Sequence, residues 1–83
     1  MAKQTHIVDG VKVSLDPSAF DDCDVQELIE EGKIIGAIKA VMGEDTYYKA
    51  KEAIRKENGQ AHLTDMANWY AKCATEFGVS VKN

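Results

Sequence analysis

The chain is poor in the residues that break, bridge or anchor a fold. It has one proline, two cysteines and one tryptophan among 83 residues. No apolar run approaches the ~18 residues that a membrane span needs. The two cysteines, Cys23 and Cys73, form no CxxC pair and nothing favours a disulfide, so two reduced thiols are expected. Basic residues are also in short supply, ten Lys and Arg against 14 Asp and Glu, for a net charge of −4. That balance argues against a general grip on nucleic acid, because phosphate binding needs a basic face. Met1 to Asp9 lacks the apolar stretch of a secretory signal. Gly32, Gly36 and Gly43 do not assemble into a Walker or dinucleotide loop. These absences leave a small cytosolic domain that works by binding other proteins rather than by chemistry.

What the chain does contain is 45% apolar residues at regular spacing and an uneven distribution of charge. Residues 1–32 carry two lysines against eight carboxylates, net −6, whereas residues 33–83 carry eight cations against six carboxylates, net +2. Helix N-termini that prefer carboxylates account for much of the acidic front. The same asymmetry would orient copies of the chain head to tail, or steer a basic partner to one end. At this length the core is modest, roughly 60% of the unfolded surface being buried, so association with partners would add needed stability.

The patterning predicts a mainly α protein, 1–83 as one domain, with an N-terminal β-hairpin followed by a compact bundle of about four short helices. Thr5–Val8 and Val11–Leu15 flank Asp9-Gly10, a pair suited to the type I′ turn, giving a hairpin over 5–15. An isolated hairpin is marginal in water, so it must pack on the helices or pair with another chain's strand. Asp16-Pro17 ends the second strand and opens a helical turn. The bundle then occupies 16–78, and 79–83 forms a tail. Asp22 or Asp24 caps a helix to about Glu31 with Val25, Leu28 and Ile29 on one face. Lys33–Met42 carries Ile34, Ile35, Ile38, Val41 and Met42 as a second stripe, closed by Gly43. The third helix runs from Glu44 to about Glu57 and buries Tyr47, Ala50 and Ile54, with Tyr48 at the boundary. Thr64 is expected to cap a fourth helix, Asp65–Phe77, striped by Met66, Trp69, Tyr70, Cys73 and Phe77.

Catalytic and metal signatures are weak. His6 and His62 have no companion ligands at helical spacing and read as surface or packing residues. Asp21-Asp22-Cys23-Asp24 lacks the glycine and distal glutamate of a calcium loop, so capping is its simpler role. Cys23 sits among carboxylates that disfavour a thiolate, and Cys73 falls on an apolar stripe. No catalytic residue, metal or cofactor is indicated. Lys49, Lys51, Arg55 and Lys56 of the third helix would suit phosphate contacts in a helix-turn-helix arrangement. Against that, the last helix offers Lys72 alone.

The order of segments resembles a known family. V-x-x-x-L-I-E-E-G leads to I-I-G-A-I-K-A-V-M-G-E-D, then Y-Y-K-A-K-E-A-I-R-K-E-N-G, then L-T-D-M-A-N-W-Y, after the hairpin V-D-G-V-K-V-S-L-D and before a closing V-K-N. This succession is similar to the small tail assembly chaperones of long-tailed bacteriophages and prophages, over nearly the whole chain. The most telling pieces are Met42-Gly43-Glu44-Asp45, the Asn58-Gly59 break and the helix bearing Trp69. The resemblance implies a non-enzymatic factor, in the cytoplasm of the host bacterium and left out of the mature virion, that coats the tape measure protein before the tail tube forms around it. It also implies a longer form, made by ribosomal frameshifting, whose extension recruits the tail tube protein.

Such a role would use many copies of a small domain, a homo-oligomer with modest affinity per copy. The expected protein-binding residues are Ile34, Ile35, Ile38, Tyr47, Tyr48, Trp69 and Tyr70, as grooves for an amphipathic helix. Two other readings stand beside it: a small helix-turn-helix-like DNA-binding or regulatory protein of phage or bacterial origin, and an inhibitor of a host protein that uses the acidic front.

Overall fold

A computed structural model describes residues 3–79. Strands β1 (Gln4–Val8) and β2 (Val11–Leu15) form an antiparallel hairpin in which Val8 pairs with Val11 and Gln4 with Leu15. Asp9 and Gly10 both take positive φ, 51° and 82°, as the type I′ turn requires. Asp16 accepts a hydrogen bond from the Ser18 amide and opens a 3₁₀ turn, Pro17–Asp21. That bond to the backbone amide holds the Asp16 carboxyl below its usual range. Helices α1 (Cys23–Glu30), α2 (Ile34–Met42), α3 (Glu44–Asn58) and α4 (Leu63–Glu76) follow. The expected hairpin and four-helix bundle are therefore present. Of the tail expected over 79–83, everything beyond Val79 lies outside the described residues.

The local chemistry explains the boundaries. Asp22, not Asp24, caps α1, its carboxylate accepting from the Asp24 amide at 2.7 Å. At the other end Gly32 turns left-handed and the Lys33 amide reaches back to the Leu28 carbonyl, closing the helix. The same closure recurs after α4, where the Val79 amide bonds the Ala74 carbonyl and Val79 packs against the core. The start of α4 corrects the expectation for Thr64. His62 is the extended capping residue and the helix is already under way at Leu63. Asp65, three residues on, accepts from the His62 amide at 3.1 Å, so the first turn is held from within by the aspartate rather than by Thr64.

One continuous core joins both parts of the chain. Val8, Val11, Val13 and Leu15 line the inner hairpin face. They meet Ile38 and Ala37 of α2, Tyr47 and Ala50 of α3, and Met66, Trp69, Cys73 and Ala74 of α4. Strand β1 packs on α4, and β2 packs on α2 and α3. Helix α2 sits between α1 and α3 and also touches α4. Trp69 is 2% exposed and its indole N–H donates to the Val8 carbonyl at 3.2 Å, tying the last helix to the first strand. Above that bond Lys72 pairs with Asp9 of the turn at 3.0 Å. No helix among the described residues is long and apolar enough to cross a membrane.

Candidate functional site

Burial divides the seven expected binding residues into two groups. Ile38, Tyr47 and Trp69 are core residues, 0%, 4% and 2% exposed, and offer nothing to a partner while the fold is intact. Expecting them at a docking groove is corrected by that burial: each faces the centre of the bundle, where its area stabilises the fold. Ile34 and Tyr70 are half-buried against the same core. Tyr70 packs beside Phe20 with ring centroids 5.5 Å apart, and burial pushes its phenol above the ordinary range. Ile35 and Tyr48 remain, 41% and 48% exposed. Helical geometry explains the split: Tyr47 and Tyr48, one residue apart, point about 100° apart, and Ile35 lies about 60° around α2 from Ile38, at the edge of its buried face.

Tyr48 is the centre of the one aromatic surface among these residues. Lys39 Nζ, from α2, donates to Tyr48 Oη at 3.2 Å, and that bond holds its ammonium above the usual lysine range. Lys51, one turn along α3, places its ammonium 5.8 Å from the Tyr48 ring. Tyr47 stands edge-on to Tyr48 with centroids 5.1 Å apart, so the exposed ring is braced by the buried one. Ile35 lies one helical turn before Lys39 on α2. The result is an exposed aromatic ring between two cations where α2 meets α3, a seam with Ile35 exposed one turn away on α2. Both ammonium groups lie within cation–π range of the Tyr48 ring, Lys39 at 5.0 Å from its centroid. Beside the ring a shallow hollow on α3 is lined by Tyr48 and Ala53 together with the charged Asp45, Lys49, Glu52 and Lys56.

Two further clefts border the hairpin. One, about 340 Å³, opens between the turn, α3 and α4, and is lined by Asp9, Val11, Ile54, Glu57, Asn58 and Lys72 among others. The second runs between β1 and α4 and is walled by Ile7, Val8, Ala71 and Thr75. Ile7 is 71% exposed, more than any other large apolar residue described. It was not among the expected site residues, although strand alternation already sets it on the face opposite Val8 and level with Lys12. Lys39 and Lys51 were likewise missed as partners of Tyr48. Their signal is the helical spacing, four residues after Ile35 and three after Tyr48.

The polar residues weighed for chemistry are dispersed. His6 packs edge-on against Phe77 with centroids 4.6 Å apart, and His62 sits at the start of α4. Among the described residues no group of three or more His, Cys, Asp or Glu is placed to hold a metal ion. Cys23 is exposed beside the α1 cap. Cys73 is fully buried, and burial pushes its thiol up to about 12. The basic residues of α3 are interleaved with carboxylates, Arg55 pairing with Glu52 at 3.1 Å, so they do not form an uninterrupted phosphate-binding stripe. Comparison with protein-family models, with curated proteins and with solved structures finds no match.

Proposed function

We propose that this protein is a non-enzymatic tail assembly chaperone of a long-tailed bacteriophage or prophage, which binds the tape measure protein through the Ile35–Tyr48 seam. The reading draws on the order of segments from the hairpin to the Trp69 helix, and the observation that carries the surface is the exposed Tyr48 ring between Lys39 and Lys51. An amphipathic helix of the tape measure would lay apolar residues on Ile35 and Tyr48, and its carboxylates would meet the two ammonium groups. Each contact is small, so affinity along the partner comes from many copies acting together. The longer form would add the contact to the tail tube protein, while the site of action is the host cytoplasm.

Co-expression with the tape measure protein encoded beside it, followed by affinity capture, tests the reading. A complex is expected with the wild-type chain and a weaker one with Tyr48→Ala. No complex with either the short or the longer form defeats it.

A further inference from the structure

The free edge of β1 supports an inference that stands apart from the tape measure reading. In a two-residue hairpin the residues closing the turn exchange hydrogen bonds, and pairs alternate from there. Val8 with Val11, His6 with Val13 and Gln4 with Leu15 therefore face their N–H and C=O groups toward each other. Thr5 and Ile7 direct theirs away from β2. Among the described residues no backbone group from a turn, loop or helix pairs with either of them.

Natural edge strands are usually defended by charge, proline or a bulge. The β1 segment Gln4-Thr5-His6-Ile7-Val8 has no charge and no proline, and it pairs with β2 without a bulge. Its outward side chain, Ile7, is the most exposed large apolar residue described. Beside it runs the cleft walled by α4, about 430 Å³, lined on the helix side by Asn68, Ala71 and Thr75 together with the charged Lys72 and Glu76.

The strand is also complementary to itself. Two copies of β1 laid antiparallel, with His6 on the two-fold axis, put Thr5 of each copy opposite Ile7 of the other. Those two pairs exchange four N–H···O bonds. The same register brings Lys3 of each copy to the turn end of the other's β1, at Asp9, whose carboxylate Lys72 of its own chain already meets at 3.0 Å, so both ends carry opposite charges. Moving the axis to Thr5 or Ile7 loses both charge pairs. We propose that two copies of this chain join β1 to β1 in this register, turning two hairpins into one four-stranded sheet. The occupant of the edge is thus a second copy, and the interface is isologous.

Sedimentation velocity of the intact chain over a concentration series is the test. A reversible dimer is expected, with Ile7→Lys raising its dissociation constant at least about tenfold, as a charge placed on an edge strand does. Lys12→Gln, on β2, is expected to leave the dimer unchanged. Circular dichroism confirms that both variants stay folded. A second measurement reads the register directly: His6→Cys in a Cys23→Ser background. Facing residues that exchange no hydrogen bonds have Cα atoms about 4.5 Å apart, within disulfide reach. Mild oxidation should therefore link two copies through position 6, while Ser14→Cys in the same background should stay unlinked. A chain that remains monomeric at every concentration overturns the proposal and leaves the edge to a strand from another protein. A dimer that survives Ile7→Lys and does not cross-link through position 6 overturns it equally.

Discussion

The indole N–H of Trp69 donates to the carbonyl of Val8 at 3.2 Å, joining residues 61 positions apart in the chain. The last helix thereby locks the first strand, and the ring fills the space between the hairpin and α3 and α4. Trp69→Phe removes the donor and part of the ring, and is expected to cost about 1–3 kcal/mol. Urea denaturation measures the loss, and amide exchange in the hairpin should quicken in step with it.

The ion pair just above that bond is expected to matter far less. Lys72 and Asp9 meet at 3.0 Å, but their side chains are 60% and 52% exposed, so Lys72→Ala should cost under about 1 kcal/mol and be masked by salt. Asp9→Val is a different case, because Asp9 holds φ at 51° in the turn. A β-branched residue is strained there, and a loss of about 1–2 kcal/mol that persists at high salt, after the ion-pair part is screened, is expected. Melting curves at low and high salt separate the two effects.

The two cysteines should behave in opposite ways. Cys23 is exposed and Cys73 is buried with its thiol pushed up to about 12, so a thiol reagent should count one group in the native chain and two in urea. The shift also sets a pH dependence. The unfolded thiol loses its proton from the ordinary value of 9.0, while the folded one keeps it to about 12. Between those values the native state binds more protons than the unfolded state, so stability falls as pH rises through that window. Tyr70, raised by burial as well, acts in the same direction. Unfolding followed from pH 8 to 11, on the order of those values, should show the decline, and Cys73→Ala should flatten it.

Helix capping supplies a third contrast. Asp22→Ala removes the carboxylate that accepts from the Asp24 amide, and should cost about 1 kcal/mol. At α4, Asp65→Ala should cost about 0.5–1 kcal/mol, because its carboxylate holds the His62 amide and lies in the first turn. Thr64→Ala should change stability by less than about 0.5 kcal/mol. Thermal melts of the three variants check the ranking, and a large loss from Thr64→Ala would contradict the observed start of α4.

Neighbouring isoleucines on α2 separate folding from binding. Ile38→Ala empties a fully buried position and should cost about 2–5 kcal/mol. Ile35→Ala, at 41% exposure, should leave stability within about 1 kcal/mol and, on the proposed function, should weaken capture of the tape measure protein, as is expected of Tyr48→Ala. Unchanged capture by both Ile35→Ala and Tyr48→Ala would move the interface away from the α2–α3 seam.

Local chemistry was readable directly from the residues. Asp9-Gly10 specifies its turn because both positions must take positive φ, and few residues do so cheaply. Gly32, Gly43 and Gly59 mark helix ends for the same steric reason. Apolar spacing identified four helices and most of the core, since a stripe at helical period has one face to bury. Spacing does not say which edge of a wide stripe wins. Ile34, Ile35 and Ile38 look equivalent in order, yet only Ile38 is fully buried, because α1, α3, α4 and the hairpin crowd one side of α2 and leave the other wet. The start of α4 was also ambiguous, as Thr64 and Asp65 both suit a first turn and the backbone chose His62.

The seam around Tyr48 and the free edge of β1 belong to the tertiary structure alone. Lys39 reaches Tyr48 only because α2 and α3 lie side by side across the Gly43 break. Ile7 is left outside because α4 packs on the face of β1 that carries His6 and Val8, and Ile7 lies on the opposite face. Residues near in sequence determine turns, caps and periodicity through backbone sterics and local hydrogen bonds. Which apolar and charged side chains remain on the surface depends on contacts between segments distant in the chain, and those are settled when the one core closes.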